Sequence, residues 1–273
     1  MSDNHQTWEE AVLWLRTQPD QLELVRACYF DDPLAEAAER YYMSTEWAAV
    51  RQLLGQRRGR ALDVGAGRGI SSYALARDGW LVTALEPDAS AVVGAGAIRQ
   101  LAAAENLAIT VAEDWGESLP FPDGSFDLVY GRQVLHHARD LSALCAEMGR
   151  VLRPGGLFVA TREHVIFRDA DLPVFLAKHP LHQCYGGENA YRLREYKGAI
   201  AAAGIRLTSV LNPWASAVNL HPRSTKDIGD AIRARLPFVP PPLVSGPLLR
   251  RAGWLLRSPG TPYSFVGVRR GVS

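Results

Sequence analysis

A chain of 273 residues with 47% apolar and 22% charged side chains has the composition of an ordinary folded protein, which excludes wholesale disorder. Its length suits one enlarged α/β domain, and thirty basic residues against twenty-nine acidic ones leave a net charge of +1. That balance argues against a general nucleic-acid or membrane binder. Cys28, Cys145 and Cys184 stand far apart with no CxxC pair, so neither zinc nor a disulfide framework is suggested, and no resident metal is expected. The polar, acidic start lacks the basic region and cleavage site of a signal peptide. No stretch approaches the ~18 uninterrupted apolar residues of a membrane span, so no stable membrane insertion and a cytoplasmic location are expected.

The predicted elements begin with helices. Thr7 and Glu10 are spaced for a capping box ahead of Val12, Leu13 and Leu15. Asp32 and Pro33 read as N-cap and first position of a helix through Arg40 and Tyr41. A further helix carries Trp47, Val50 and Leu54 on one face and stops near Gly55. Tyr41 and Tyr42 either cover a ligand or fill the helical core, and the core is the plainer reading.

From Arg60 strands and helices alternate. Short apolar runs lie at 61–64, 81–85, 108–111, 126–130 and 157–161, with helical patterns over 71–78, 89–105 and 140–152 between them. This order predicts right-handed βαβ crossovers and a doubly wound, mostly parallel seven-stranded α/β sheet, Rossmann-like, with both faces covered. Residues 164–188 form an insert rich in His, Pro and Gly. A helix over 191–203, a strand over 205–211 and a terminal strand over 263–268 complete the sheet. Most of the prolines fall in 212–262, including the run Pro240, Pro241 and Pro242. The expected organisation is an N-terminal helical cap (1–58), an α/β core (59–163), a lid or acceptor insert (164–188) and a C-terminal completion with a proline-rich basic insertion (189–273).

The chemistry-bearing residues concentrate between strands and helices. Asp63-Val-Gly65-Ala66-Gly67-Arg-Gly69 follows the first strand, where glycines let backbone approach a ligand and helix N-terminal amides face it. A dinucleotide fingerprint places a third small residue at position 70, which is Ile70, and no Gly-Lys-Ser/Thr of a phosphate loop follows. Glu86 ends the second strand, 21 residues past Gly65. A carboxylate there can accept hydrogen bonds from both hydroxyls of a ribose. Each signal is weak alone; in order on consecutive βα units they predict a nucleoside-binding crevice.

Five ordered stretches then resemble one family: Leu62-Asp63-Val-Gly65-Ala-Gly67-Arg-Gly69, Leu85-Glu86-Pro87-Asp88, Glu117 to Asp127, Val134-Leu135-His136-His137, and Arg150 to Gly156. The chain resembles class I S-adenosylmethionine-dependent methyltransferases, especially the small-molecule ubiquinone/menaquinone (methyltransferase type 11) group. The resemblance covers residues 60 to about 162. It implies S-adenosyl-L-methionine as cofactor, with Asp63, Gly65, Ala66 and Gly67 along its amino-acid and sugar portion and Glu86 and Pro87 at the ribose. It further implies Asp114 or Trp115 at the adenine, and Arg132 and Gln133 near the sulfonium. His136 and His137 follow the fourth strand. One of them is a candidate catalytic base or orients the acceptor, while packing or hydrogen bonding is the plainer reading. His164, His179, His182, Tyr185 and Glu188 either line an acceptor pocket or sit on a surface loop.

The implied activity is methyl transfer to a small-molecule acceptor, onto oxygen first, with carbon and nitrogen open. Alternatives are a cofactor-binding fold that transfers no methyl, such as a cyclase, and an NAD-dependent oxidoreductase, which Ile70 disfavours. No nucleic-acid partner is expected and a homodimer is left open. Residues 221–273 carry nine Arg/Lys against two Asp/Glu. Within them Leu248, Leu249, Ala252, Leu255 and Leu256 form an apolar stripe that either packs on the body of the protein or meets a partner or membrane surface.

Overall fold

The computed structural model describes residues 7–240 and 245–271, so Pro241, Pro242 and the first six residues lie outside the described residues. The N-terminal cap comprises α1 (Trp8–Arg16), α2 (Leu22–Ala27), α3 (Leu34–Tyr42) and α4 (Thr45–Leu54). The capping box at Thr7 and Glu10 is formed, each side chain meeting the other's backbone N–H. The expected cap at Asp32 is not. Pro33 caps α3 without a side-chain bond, because the Asp32 carboxylate is taken by Arg16 and Arg68.

The sheet contains β1 (Arg60–Val64), β2 (Leu81–Leu85), β3 (Ile109–Ala112), β4 (Phe126–Arg132), β5 (Leu152–Ile166), β6 (Tyr191–Arg192), β7 (Ile205–Leu211) and β8 (Thr261–Arg269). Its order is β3-β2-β1-β4-β5-β8-β7, with the two-residue β6 paired beside β5. The seven expected strands thus form the main path and β6 is an eighth. β1 to β5 pair in parallel, whereas β8 runs antiparallel between β5 and β7. The connecting helices are α5 (Ile70–Arg77), α6 (Ala95–Ala104), α7 (Leu141–Val151), α8 (Asp171–Leu176), α9 (Pro180–Tyr185), α10 (Leu193–Ala202), α11 (Ala217–Leu220), α12 (Thr225–Arg235) and α13 (Gly246–Ala252).

Strand alternation divides the core into two layers, since successive side chains point to opposite faces. Leu62, Val64, Val129 and Phe158 pack with Leu144, Met148 and Ile200 of α7 and α10. Ala61, Leu128, Tyr130 and Val159 pack on the other face with Ala38 and Tyr41 of α3, Trp47 and Val50 of α4, and Tyr73 of α5. Tyr41 is fully buried, so it is core.

Three differences from the expected boundaries have local causes. α6 begins at Ala95 instead of residue 89, because Asp88 and Ser90 fold residues 88–94 into a turn: Ser90 N–H bonds Asp88 Oδ1 at 2.8 Å, and Ala95 N–H bonds the Asp88 carbonyl at 2.7 Å. β5 runs to Ile166, carried past the expected insert boundary by pairing with β8 and β6. The apolar stripe of the tail is broken: α13 ends at Ala252, Leu249 is buried, and Leu255 stands 79% exposed. A 3₁₀ turn starts at Gly253, where a side chain would collide with Asn212, and Asn212 Nδ2 bonds the Arg250 carbonyl at 2.8 Å. Leu249 and the Asn212 contact thus pack on the protein itself, while Leu248 and Leu255 stay exposed.

Candidate active site

The strand order reverses between β1 and β4, and in open α/β sheets the crevice at such a point, beyond the carboxyl ends of the strands, receives ligands. Here it opens into a cavity of about 440 Å³. One wall is the turn between β1 and α5. Gly65 and Gly67 adopt φ of 62° and 54°, in the left-handed region that only glycine enters freely, and a Cβ on Gly65 would strike Val134. The turn is pinned to β2: Ala66 N–H donates to the Leu85 carbonyl at 3.0 Å and Gly67 N–H to Glu86 Oε2 at 2.7 Å. The other Glu86 oxygen accepts Asp88 N–H at 3.1 Å. Burial raises the Glu86 pKa, partly offset by these two backbone donors.

Gly65, Ala66, Gly67, Glu86, Pro87, Trp115, Arg132, Gln133, His136 and His137 all line this cavity. Asp63 and Asp114 do not. Asp63 lies behind the wall, buried, accepting the Ser72 hydroxyl at 2.6 Å, and burial pushes its carboxyl up to about 7. The Asp114 side chain folds back onto the N–H of Trp115. Trp115 stands half exposed at the rim with the Arg139 guanidinium 4.7 Å from its ring centroid.

Arg132 carries its own counter-ion. The fully buried Glu46 of α4 accepts its Nε at 2.7 Å and its Nη2 at 3.2 Å, and Tyr29 and Tyr41 flank the guanidinium. Burial alone would raise the Glu46 pKa, but Arg132 and Arg162 outweigh it and hold the carboxylate ionised. The Arg132 charge is thus neutralised beside the cavity. Gln133, at φ 55°, accepts a hydrogen bond from Arg132 at 2.9 Å.

The opposite wall comes from distant segments. His136 is buried; its Nδ1 meets Glu163 Oε2 at 2.7 Å, and the same carboxylate receives the backbone N–H groups of Val134 and His136. His137 sits nearer the mouth, its Nδ1 on the Gly187 carbonyl at 3.1 Å. His164, His179, Tyr185 and Glu188 from the end of β5 and the insert complete this wall, so these four candidates reach the cavity; His182 is not on its wall. Burial lowers the pKa of His136, His164 and His179, favouring neutral imidazoles. Trp8, Leu24, Phe30 and Leu181 add an apolar mouth, with Trp8 packed against Tyr185 at 4.7 Å between ring centroids.

The N-terminal cap is therefore part of the site, through Trp8, Leu24, Tyr29 and Phe30 and not through Tyr41 or Tyr42, which do not line the cavity. Arg68, inside the glycine turn, donates from Nη1 to the carbonyls of Tyr29 and Asp31, both at 2.9 Å, and pairs with Asp32. An arginine flanked by the turn's glycines and the acidic Asp31-Asp32 pair were the only sequence signals of this clasp. Glu163, on β5 beside His164, carried none.

An open α/β sheet with an acidic strand end and a glycine turn at its switch point defines a Rossmann-like, nucleoside-binding enzyme fold. Residues 62–160 match the methyltransferase domain family. The ubiquinone biosynthesis O-methyltransferase of Sinorhizobium fredii is 30% identical over 188 residues, spanning 66% of this chain and 73% of that protein. The protein of the same name from Rhizobium leguminosarum is 29% identical over 170 residues, 59% of this chain and 66% of its own length. With a third such relative, from Rhizobium etli, at 60%, the chain spans about 60–73% of the lengths of these relatives. Among solved structures, geranyl diphosphate C-methyltransferase from Streptomyces coelicolor, in complex with Mg2+, geranyl diphosphate and S-adenosyl-L-homocysteine, has a TM-score of 0.61 at 16% identity, covering 88% of this chain and 85% of that one. The chain belongs to the S-adenosylmethionine-dependent methyltransferase family.

Proposed function

We propose that the protein transfers the methyl group of S-adenosylmethionine to a hydroxyl oxygen of a small, largely apolar acceptor. The observation that carries this reading is the two-walled cavity: a glycine turn tied to Glu86 on one side and an imidazole-rich, aromatic-mouthed wall on the other. The residues fit the cofactor. Glu86 offers two carboxylate oxygens to a ribose, the Cβ-free Gly65–Gly67 turn admits close approach, and the Glu46-compensated Arg132 puts no bare positive charge beside a sulfonium. Trp115 at the rim offers a face for the adenine. Asp63 supports the turn from behind.

The bound cofactor supplies an electrophilic methyl on a cationic sulfur. The protein's share is alignment, exclusion of water and management of one proton. Alignment of this kind contributes up to roughly 7–11 kcal/mol in favourable systems. With its Nδ1–H donated to the Gly187 carbonyl, His137 keeps a basic Nε2 to take the acceptor proton, a contribution of about 10²–10⁴-fold. The acceptor oxygen then bonds the methyl carbon, and the electron pair of the broken carbon–sulfur bond stays on sulfur. The buried His136, oriented by Glu163, lines the inner side of the space assigned to the acceptor. Transfer to oxygen is supported by the names of the curated relatives, and an apolar acceptor by Trp8, Leu24, Phe30 and Leu181 at the mouth. In the described residues no helix is long and apolar enough to cross a membrane.

Methyl-labelled S-adenosylmethionine incubated with a panel of phenols, catechols and alcohols tests the reading by mass spectrometry. An O-methylated product is expected. Label found on carbon or nitrogen, or cofactor binding with no label in any acceptor, would overturn it.

A further inference from the structure

At the inner end of the cavity three segments far apart in sequence converge: the turn after β4, the end of β5 and the loop after α9. Each of two imidazoles there is anchored through Nδ1. His164 Nδ1 meets the Gly260 carbonyl at 2.9 Å; a carbonyl only accepts, so Nδ1 carries the proton and Nε2 presents a lone pair. His136 Nδ1 faces a Glu163 carboxylate that already collects backbone N–H donors, which leaves Nδ1 the donor and turns its Nε2 lone pair inward as well. Between them stands Glu188, its side chain 5% exposed. Tyr185 hydroxyl donates to Oε1 at 3.1 Å, but the buried Oε2 has no hydrogen-bond partner among the described residues. It lies 3.7 Å from His136 Nε2, too far for a hydrogen bond. One ligand atom from each of His136, His164 and Glu188 lies within 4.8 Å of the other two.

Lone pairs facing lone pairs in a buried space repel unless a proton donor or a cation sits between them, and two imidazoles with a carboxylate are ligands suited to a metal cation. We propose that His136, His164 and Glu188 bind one divalent transition-metal ion. Metal–ligand bonds of roughly 2.0–2.2 Å place tetrahedral ligand atoms about 3.4 Å apart, so side-chain rotations of about 1 Å close the site. Two imidazoles and one carboxylate with further positions open are a set for Zn2+, Co2+ or Fe2+, and too rich in nitrogen for Mg2+ or Ca2+. Glu163 and the Gly260 carbonyl supply the outer hydrogen bonds that orient metal-binding imidazoles. His137 and His179 flank the site, each with a nitrogen 3.9 Å from a Glu188 oxygen.

All three ligands line the cavity, so the open positions face the space assigned to the acceptor. An acceptor hydroxyl coordinated there would be acidified and held for attack. That role rests on the proposed methyl transfer; the metal site itself does not.

The test is titration of chelator-treated full-length protein with Co2+, followed by its visible absorption. One saturable equivalent per chain is expected. Glu188→Gln and His164→Ala should each weaken it at least about 10–100-fold, while His221→Ala, at a histidine that bonds Tyr29 and Thr45 outside the ligand set, leaves it unchanged. An unchanged circular dichroism spectrum and melting transition certify that each variant is folded. Absence of a saturable Co2+ site in the wild-type chain, or undiminished binding in both ligand variants, overturns the proposal. Methyl transfer that proceeds equally without metal would remove the role on the acceptor and leave the methyltransferase reading intact.

Discussion

The two walls of the cavity are built in opposite ways. The wall proposed for the cofactor is backbone: a turn of five consecutive residues, Gly65 to Gly69, hydrogen-bonded to the end of the neighbouring strand. The wall proposed for the acceptor is side chains, drawn from the cap, the turn after β4, β5 and the insert, and oriented by carbonyls and by Glu163. A backbone wall tolerates little change of shape because every atom in it is also a strand or turn atom. A side-chain wall can be re-equipped without moving the sheet, and acceptor choice belongs there.

The largest effect expected from this contrast is at Gly65. Gly65→Val places a β-branched residue at φ 62° against Val134 and should abolish S-adenosylhomocysteine binding, at least about 100-fold by calorimetry. Gly67→Ala meets no atom within 4 Å and should cost only the left-handed strain of about 1–2 kcal/mol. Equal losses at the two glycines would refute the close approach assigned to Gly65. Glu86→Ala removes two hydrogen bonds to a charged group, each worth about 1.5–3 kcal/mol, and should weaken the same ligand at least about 100-fold. On the other wall, His137→Ala should leave cofactor heat unchanged and lower methyl transfer about 10²-fold; a parallel loss of cofactor binding would erase the division between the walls.

Most of the sheet and the backbone wall could be read from sequence because both are local. Apolar runs with turn residues between them follow strand by strand, and Gly65, Gly67 and Glu86 lie on consecutive βα units. The second wall was visible only as residue types. His164, His179, Tyr185 and Glu188 stood out as a cluster, but nothing in their spacing shows that His164 and Glu188 meet His136, 28 residues before His164. That meeting depends on β5 lying beside β4 and on the insert folding back, which are tertiary facts. The Arg68 clasp and the Arg132–Glu46 pair escaped for the same reason: their partners are 36 to 39 and 86 residues away. Local geometry also overrode pattern, as at Asp32, where two arginines outcompete the helix end, and at Gly253, where Asn212 leaves no room for a side chain.

Smaller effects sharpen the picture behind the walls. Asp63 keeps its proton to about pH 7 when folded and loses it near 3.8 when unfolded, so the folded state is progressively penalised as pH rises between those values. Asp63→Asn should therefore match the wild type in melting temperature at pH 4 and exceed it at pH 8, by an amount corresponding to at most about 4 kcal/mol. A wild-type advantage at pH 8 would mean that the ionised carboxylate is stabilised where it lies. Smallest of all, Leu255→Ser at a 79% exposed position should change stability by no more than about 0.5 kcal/mol, measured by denaturant unfolding. A larger loss would place Leu255 in a contact on the protein's own body.

The central claim is that the Gly65–Gly67 turn and Glu86 form a seat for a sulfur nucleoside. Isothermal titration of the folded chain with S-adenosylhomocysteine, and separately with NADH, measures it most directly. The account predicts one S-adenosylhomocysteine site per chain, weakened by Glu86→Ala, and no heat with NADH. Saturable NADH binding with no response to S-adenosylhomocysteine would contradict it.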